Sequence, residues 1–438
     1  MNRKSSDITQ RAIQFVFKPG QQEAAILGCL TYAASKLWNV ANYERASWTA
    51  ESGEKYPDWF EQKSRLKGSF WYRNLPSQSA QEVLKQLDEA WRSYYTLKET
   101  GGVRNPGRPG YKHSNFNVRY LNNGFAVMGG RIRLSIPKQQ KAYLQQHGIE
   151  ADFMYIPIPD EYRGYQGNAK VVEIMPANGA YRVNIIVELP EQGMKQDNGI
   201  YMGIDLGVNN LITCYLSTGK SFIISGRQLL SMNRYYEKTI GHYRSIAYAD
   251  QSARGVKYPK ESRRIKRLYE KRRKQTAHLL HTATKHVMGV AEQENVSRII
   301  IGDITHIRDN RDMGRKNNQK FHQWPYARIQ DMLAYKAEDR GIAADRQEES
   351  YTSQCSPYAP EVSEITANKS NRRHRGLYVT DEAVFNADCV GAYNILKKYL
   401  CRTGISSPAV VGLDTPDAYR WDYHKFIGSS KLAISMTM

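Results

Sequence analysis

MGIDLGVNN, residues 202–210, is a mostly apolar run that ends on one acid, Asp205, and breaks at once into Leu-Gly-Val-Asn-Asn. With Ile200 and Tyr201 ahead of it, the run reads as a buried strand closing in a tight Gly/Asn turn. A second strand follows from Leu211 to Leu216. A carboxylate at the end of a buried strand is costly unless it is paired or holds a metal. Taken alone, Asp205 reads as an acid that caps the turn through its own backbone. Only acids elsewhere in the chain can change that reading.

The chain has 438 residues, with 63 Lys and Arg against 43 Asp and Glu, a net charge of +20 and a pI near 9.5. Such a field points to a polyanionic partner. Nucleic acid is favoured over a membrane, because no apolar run approaches the roughly 20 residues of a spanning helix. The opening MNRKSSDITQ lacks the apolar stretch of a signal peptide. The five cysteines, Cys29, Cys214, Cys355, Cys389 and Cys401, form no C-x-x-C pair. The expectation is a cytoplasmic, reducing setting without a disulfide framework.

Outward from Asp205, the N-terminal half begins with one alternating strand, RAIQFVFK (11–18). Helical spacing follows in Ala24, Leu27, Leu30, Leu37 and Ala41, and again in Val83, Leu84, Leu87 and Trp91. A Gly/Pro/basic loop, GGVRNPGRPGYK (101–112), offers Arg104, Arg108 and Lys112 as phosphate contacts or as a solvated linker. From 114 to 190 the period is two, which predicts a β-barrel completed by the strand at 11–18. The helical block is then an insertion.

On the C-terminal side, LITCYL and SFIISG read as strands. A basic helix holds Arg263, Arg264, Lys266, Arg267, Arg272 and Arg273, a lopsided charge run read as nucleic-acid backbone contacts rather than as a merely solvated helix surface. VSRIIIGDI (296–304) is another buried strand and WPYARIQDMLAYKAEDRG (324–341) a helix. GIAADRQEESYTS runs from strand to loop, and a helix opens near Asp388, whose simplest role is its N-cap. Residues beyond 403 read as a turn-rich tail with one aromatic cluster. Three strands, then helix, strand, helix, strand, helix is the order expected of a ribonuclease-H-like α/β unit. Nucleases of that fold gather carboxylates from distant positions around two divalent ions.

GIDLGVNN (203–210), YEKRRKQTAHLLH (269–281), WPYARIQDMLAYKAEDRGI (324–342), ESYTSQCS (349–356) and NADCVGAYNIL (386–396) together resemble the TnpB transposon-encoded nucleases, the Fanzors and the compact type V CRISPR effectors. The N-terminal half is similar to them in layout alone. The resemblance implies an α+β multidomain chain: a β-barrel wedge domain with a helical recognition insertion, then an α/β ribonuclease-H-like (RuvC) nuclease domain. The expected boundaries are 1–19 for the first wedge strand, 20–112 for the helical domain and 113–195 for the rest of the wedge. Residues 196–402 form the RuvC domain, with an insert at about 353–385, and 403–438 form the tail. It implies an RNA-guided DNA endonuclease that uses Mg2+ (or Mn2+), with guide RNA and target DNA as partners.

Two departures stand out. Where most TnpBs end the strand at 298–304 on a glutamate, this chain has Gly302 and then Asp303. A subset of relatives instead carries a glutamate ahead of Tyr-Thr-Ser, where this chain has Glu349. The expected catalytic and metal-binding acids are therefore Asp205, Glu349 and Asp388. By strand parity Glu348 points to the other sheet face and Asp303 away from the side that Gly302 faces. Most relatives also carry a four-cysteine zinc site in this region. Here Cys355, His374 and Cys389 are too few and too scattered, so no zinc is expected. Lys369, Arg372, Arg373, His374 and Arg375 in the replacing segment are candidates for guiding a DNA strand, or else part of a solvated surface loop. A guide-dependent, nuclease-inactive DNA-binding protein, repressor-like, is the alternative that Gly302 suggests.

Overall fold

The computed structural model describes residues 8–101, 103, 105–190, 192–303, 324–374 and 376–429. The chain divides into two compact units, Met1–Glu191 and Gln192–Met438.

The first unit opens with β1 (Ile8–Phe17) and a helical block of α1 (Gln21–Ser47), α2 (Trp59–Leu66), α3 (Phe70–Arg73) and α4 (Ser77–Thr100). Then come β2 (Val118–Leu121), β3 (Phe125–Met128), β4 (Arg131–Ser135), α5 (Lys138–Gln146), β5 (Phe153–Pro157), β6 (Ala169–Ala177) and β7 (Ala180–Pro190). Asp58 starts α2 by accepting the amides of Phe60 and Glu61, the usual use of an N-cap acid. The helical stripes predicted for α1 and α4 are buried: Leu27, Leu30, Leu37 and Ala41 meet Val83, Leu84, Leu87 and Trp91 in one apolar core.

The strands do not close into the expected barrel. The described residues form a sheet in the order β1-β7-β6-β2 and a separate one in the order β3-β4-β5. A period of two reports that one face of a strand is buried, and stacked open sheets satisfy it as well as a closed barrel does. The expected pairing of the first strand with the later ones is present, since β1 runs antiparallel to β7 from Ile8 to Phe17.

The second unit contains β8 (Tyr201–Asp205), β9 (Asn210–Leu216), β10 (Ser221–Ser225), α6 (Arg227–Ala253), α7 (Arg263–Gln293), β11 (Arg298–Asp303), α8 (Tyr326–Glu338) and β12 (Ala343–Glu348). A hairpin of β13 (Leu377–Val379) and β14 (Val384–Asn386) leads into α9 (Ala387–Thr403), and β15 (Asp417–Asp422) and β16 (Lys425–Ser429) follow. Seven strands make one sheet, β12-β11-β8-β9-β10-β15-β16. β8, β11 and β12 run parallel, and β9 antiparallel between β8 and β10. The residues read as a tail add β15, parallel to β10, and its hairpin partner β16. Tyr419 and Trp421 of β15 pack on the sheet's core.

The sheet is covered on both sides. Met202, Ile204, Ile299 and Ile301 point to α7 and α8, meeting Leu280, Val287, Ile329 and Leu333. Tyr201 and Ile300 point the other way, against Ile395 and Leu396 of α9. On this second side β8 and α9 nearly touch. A Cβ at Gly203 would strike the carbonyl oxygen of Ala392 and lie 2.8 Å from Leu396 Cβ. Glycine is what lets the helix lie this close.

Candidate active site

Strand parity carries Asp205 to the α9 side of the sheet, the side of Tyr201 and Gly203, at the C-terminal end of β8. There it lies against the first turns of α9. A Cβ at Gly391 would be 2.7 Å from Asp205 Oδ2. Burial, and the neighbouring charge of Asp388, push the Asp205 carboxyl up to about 7, with Arg372 opposing.

Asp388 sits in the first turn of α9 but is not its cap. The side chain of Asn386 accepts the amides of Asp388 (3.0 Å) and Cys389 (3.3 Å). The Asp388 carboxylate is thereby released from the role its position first suggests. Asn210 Nδ2 donates to Asp388 Oδ2 at 2.6 Å, and Arg372 Nη2 lies 3.3 Å from Oδ1.

Glu349 follows β12 directly, and its side chain stands over Gly302 of the neighbouring strand. A Cβ at position 302 would collide with Glu349 Oε1 and lie 2.7 Å from its Cδ and 2.9 Å from Ile395 Cδ1. The carboxylate fills the space an ordinary residue at 302 would take. Its Oε1 is buried and has no hydrogen-bond partner. Burial pushes the Glu349 carboxyl up to about 9, with the charges of Asp205, Asp303 and Glu348 adding to it.

The two neighbouring acids behave differently. Glu348 is exposed and accepts from Lys398 Nζ at 2.6 Å and from the Ser350 amide at 2.6 Å. Burial opposes ionisation of Glu348, but Lys398 and Ser350 outweigh it and hold its carboxyl below the usual range. Asp303 is in register with Glu348, on the strand face of Ile299 and Ile301, while its charge still reaches Glu349.

The structure therefore brings Asp205 beside Asp388 and sets Glu349 within reach of the field of Asp205. Among the described residues no three acidic, histidine or cysteine side chains converge closely enough to hold a metal ion as they stand. The donor chemistry nonetheless suits a hard divalent cation: three carboxylates, one with an orphaned buried oxygen, with the charge of Asp388 raising the pKa of Asp205 and the charge of Asp205 raising that of Glu349. Cys355 is buried, with its Sγ 3.3 Å from the carbonyl of Ser363, and Cys389 is buried in the first turn of α9.

Sequence reasoning passed over the residues that anchor the segment after β12. Asn394 donates to the carbonyls of Thr352 and Cys355, both at 2.8 Å. The buried Lys397 donates to the carbonyls of Pro357 (2.8 Å) and Ala359. Polar residues on the buried face of a helix were the available signal. Asn210 could have been marked by its place just after the Asp205 turn.

The basic candidates divide. Arg263, Arg264, Lys266, Arg267 and Arg273 of α7 are exposed, as are Arg108, Arg372 and Arg373. Arg264 stacks on Tyr243, 3.7 Å from its ring centre. Arg272 is turned inward and donates to Asn233 Oδ1 of α6 at 2.9 Å, a packing role. Lys112 is half-buried over the rings of Trp38 (4.1 Å) and Phe116 (4.5 Å), and burial lowers its pKa. The loop around it is pinned to α1, because Trp38, Asn39 and Asn42 donate to the carbonyls of Gly110, Lys112 and Pro109. Arg104 and Arg375 lie outside the described residues. No helix of the described residues is long and apolar enough to cross a membrane.

Two family descriptions match the chain: the OrfB_IS605 family, described as a probable transposase, over residues 184–308, and a Cas12f1-like TNB domain over residues 326–395. Among curated proteins, the chain is 23% identical to the TnpB-like protein ORF457 of Acidianus two-tailed virus, covering 83% of this chain and 81% of that protein. It is 27% identical to the CRISPR-associated endodeoxyribonuclease Cas12f1 of Sulfoacidibacillus thermotolerans, covering 43% of this chain and 44% of that protein. The fold is similar to that of Cas12f1 in a cryo-EM structure of its complex with sgRNA and target DNA. There the TM-score is 0.58 at 17% identity, over 86% of this chain and 83% of that one.

Proposed function

We propose that the chain, which is similar to TnpB-like proteins and to Cas12f1, is a member of the family of TnpB proteins and compact type V effectors and an RNA-guided DNA endonuclease. A guide RNA pairs with the target strand, and the protein reads a short flanking motif in duplex DNA. Cleavage takes place in the second unit, on the α9 side of the sheet, with the α/β unit acting as a RuvC-like nuclease domain.

The observation that carries this reading is the Glu349 carboxylate standing in the space left by Gly302. Asp205, Glu349 and Asp388 are the residues that would hold Mg2+ or Mn2+. Bound there, a pair of divalent cations would supply the Lewis acidity that hydrolysis of a phosphodiester needs. The protein's own part is positional. Asn386 caps α9 and so leaves the Asp388 carboxylate available, while Asn210 fixes its orientation. Gly391 and Gly203 let α9 approach the end of β8. Arg372, beside Asp388, offers a guanidinium to a phosphate of the strand entering the site. The exposed arginines and lysines of α7 contact backbone phosphates, so affinity falls steeply with salt.

The nuclease-inactive reading rests on the missing acid at 302, and Glu349 over that position takes away its motive. The test is to purify the chain with its RNA, sequence the RNA, and supply DNA complementary to it. Cutting that needs both the RNA and Mg2+ is expected. Target binding without cutting in either Mg2+ or Mn2+ would overturn the proposal in favour of a binding protein.

A further inference from the structure

In the first unit a cleft of ≈420 Å3 opens between the C-terminal parts of α1 and α4 and the loop that enters α2. At its base lies Arg45, whose side chain is 0% exposed. Its Nη1 pairs with Asp88 Oδ1 at 2.8 Å and its Nε donates to Gln62 Oε1 at 2.9 Å, but its buried Nη2 has no partner. A buried guanidinium N–H without an acceptor is destabilising unless a ligand supplies one.

The walls are aromatic. Trp91 and Tyr95 line the cleft with ring centres 5.7 Å apart and planes tilted by 35°, and Tyr56 and Trp59 face it too. The guanidinium of Arg45 stands 5.7 Å from the Tyr56 ring centre. The acids at the cleft are unequal. Asp88 is committed to Arg45 and Arg92, and Asp58 caps α2. Glu99 is exposed at the rim and makes no ion pair among the described residues.

These features select a ligand class. Aromatic walls take a flat ring, the orphaned N–H takes an acceptor, and the uncommitted carboxylate takes donors. Three acids against two arginines disfavour a phosphate. Of the four common bases, guanine alone sets an acceptor (O6) beside two donors (N1–H and the N2 amine) on one edge. We propose that this cleft binds an unstacked guanine of a single strand, with O6 on Arg45 Nη2, the donor edge on Glu99 and the ring among the aromatic side chains. The proposal rests on the reading of the chain as a nucleic-acid-binding protein and adds to it a base-specific site outside the nuclease unit.

The test uses the full chain and short labelled strands of oligouridine (RNA) and oligothymidine (DNA), each with or without one central guanine, read by fluorescence anisotropy. A single guanine should tighten binding by about tenfold, with adenine, cytosine and hypoxanthine giving less. The RNA and DNA arms tell which strand supplies the base. Within each variant the readout is the ratio of guanine-containing to guanine-free affinity. Glu99→Gln and Tyr95→Ala, both at exposed positions, should bring that ratio towards one. A guanine strand that binds no tighter than its control overturns the pocket and leaves the nucleic-acid reading intact. So does a preference that survives both substitutions. Strands that fail to bind both with and without guanine would remove the nucleic-acid reading, and the pocket with it.

Discussion

The two faces of the seven-stranded sheet use the same strands for opposite purposes. Towards α7 and α8, the strands present Met202, Ile204, Ile299 and Ile301, all buried in an apolar layer. Towards α9, alternate positions of the same strands hold Gly203, Asp205 and Gly302. One face is filled to be stable. The other is emptied of side chains where α9 comes near and where Glu349 lies, and what remains is carboxylate. Buried acids without counter-charge are a cost, which the apolar face has to offset. The difference teaches that the α9 side is shaped for something other than packing.

The comparison can be broken or sharpened by changing one face at a time. The largest effect should come from the acids: Asp205→Asn or Asp388→Asn should lower guided cleavage at least about a thousandfold, several kcal/mol of transition-state stabilisation. Target binding and thermal stability should remain, as measured by gel shift and by melting. Substitution at Gly302 should come next. Gly302→Val displaces the Glu349 carboxylate and should cost about a hundredfold in rate, with about 1–3 kcal/mol of overpacking strain. On the opposite face, Ile301→Ala should cost about 2–5 kcal/mol of stability and leave the rate unchanged well below the melting temperature. Rate loss without destabilisation there would break the distinction between the faces.

A smaller effect concerns pH. Asp205 and Glu349 titrate higher in the folded chain, at about 7 and about 9, than exposed carboxyls do, at about 4. The folded state therefore holds more protons. The stability these groups contribute is complete below about pH 4 and is lost as pH rises through about 7 and about 9. The melting temperature of metal-free protein should fall across that window, Mg2+ should raise it most at the alkaline end, and Glu349→Gln should flatten the dependence. The smallest effect should be at Glu348, whose pairing with Lys398 is partly exposed. Glu348→Gln should change stability by less than about 1 kcal/mol and cleavage hardly at all.

Much of this was legible because period and parity are local. The alternation that puts Asp205 with Gly203, and Glu348 on the other side from Glu349, follows from the pleat alone. Residues 101–112 could be read as a loop from their Gly and Pro, but not as one clasped by Trp38, Asn39 and Asn42, because that clasp depends on side chains about 70 positions away in sequence. The open sheets in place of a barrel were hidden, since an alternating pattern does not say whether strand edges meet. β15 and β16 were hidden by a turn-rich surround, although Tyr419 and Trp421 alternate as a strand should. Asp388 looked like a cap because the competing Asn386 stands two residues ahead with the same chemistry. Gly302 read alone is a loss; the family resemblance pointed to Glu349 as its replacement, but the placing of that carboxylate over Gly302 is a relation between two strands that no single stretch could reveal.

The central claim is that Glu349 supplies the carboxylate missing at Gly302. Glu349→Gln changes one oxygen to an amide at nearly constant volume. With guide RNA, complementary DNA and Mg2+, the variant should bind target as the parent does and cut it at least about a thousandfold more slowly. Cutting at the parental rate would contradict the account.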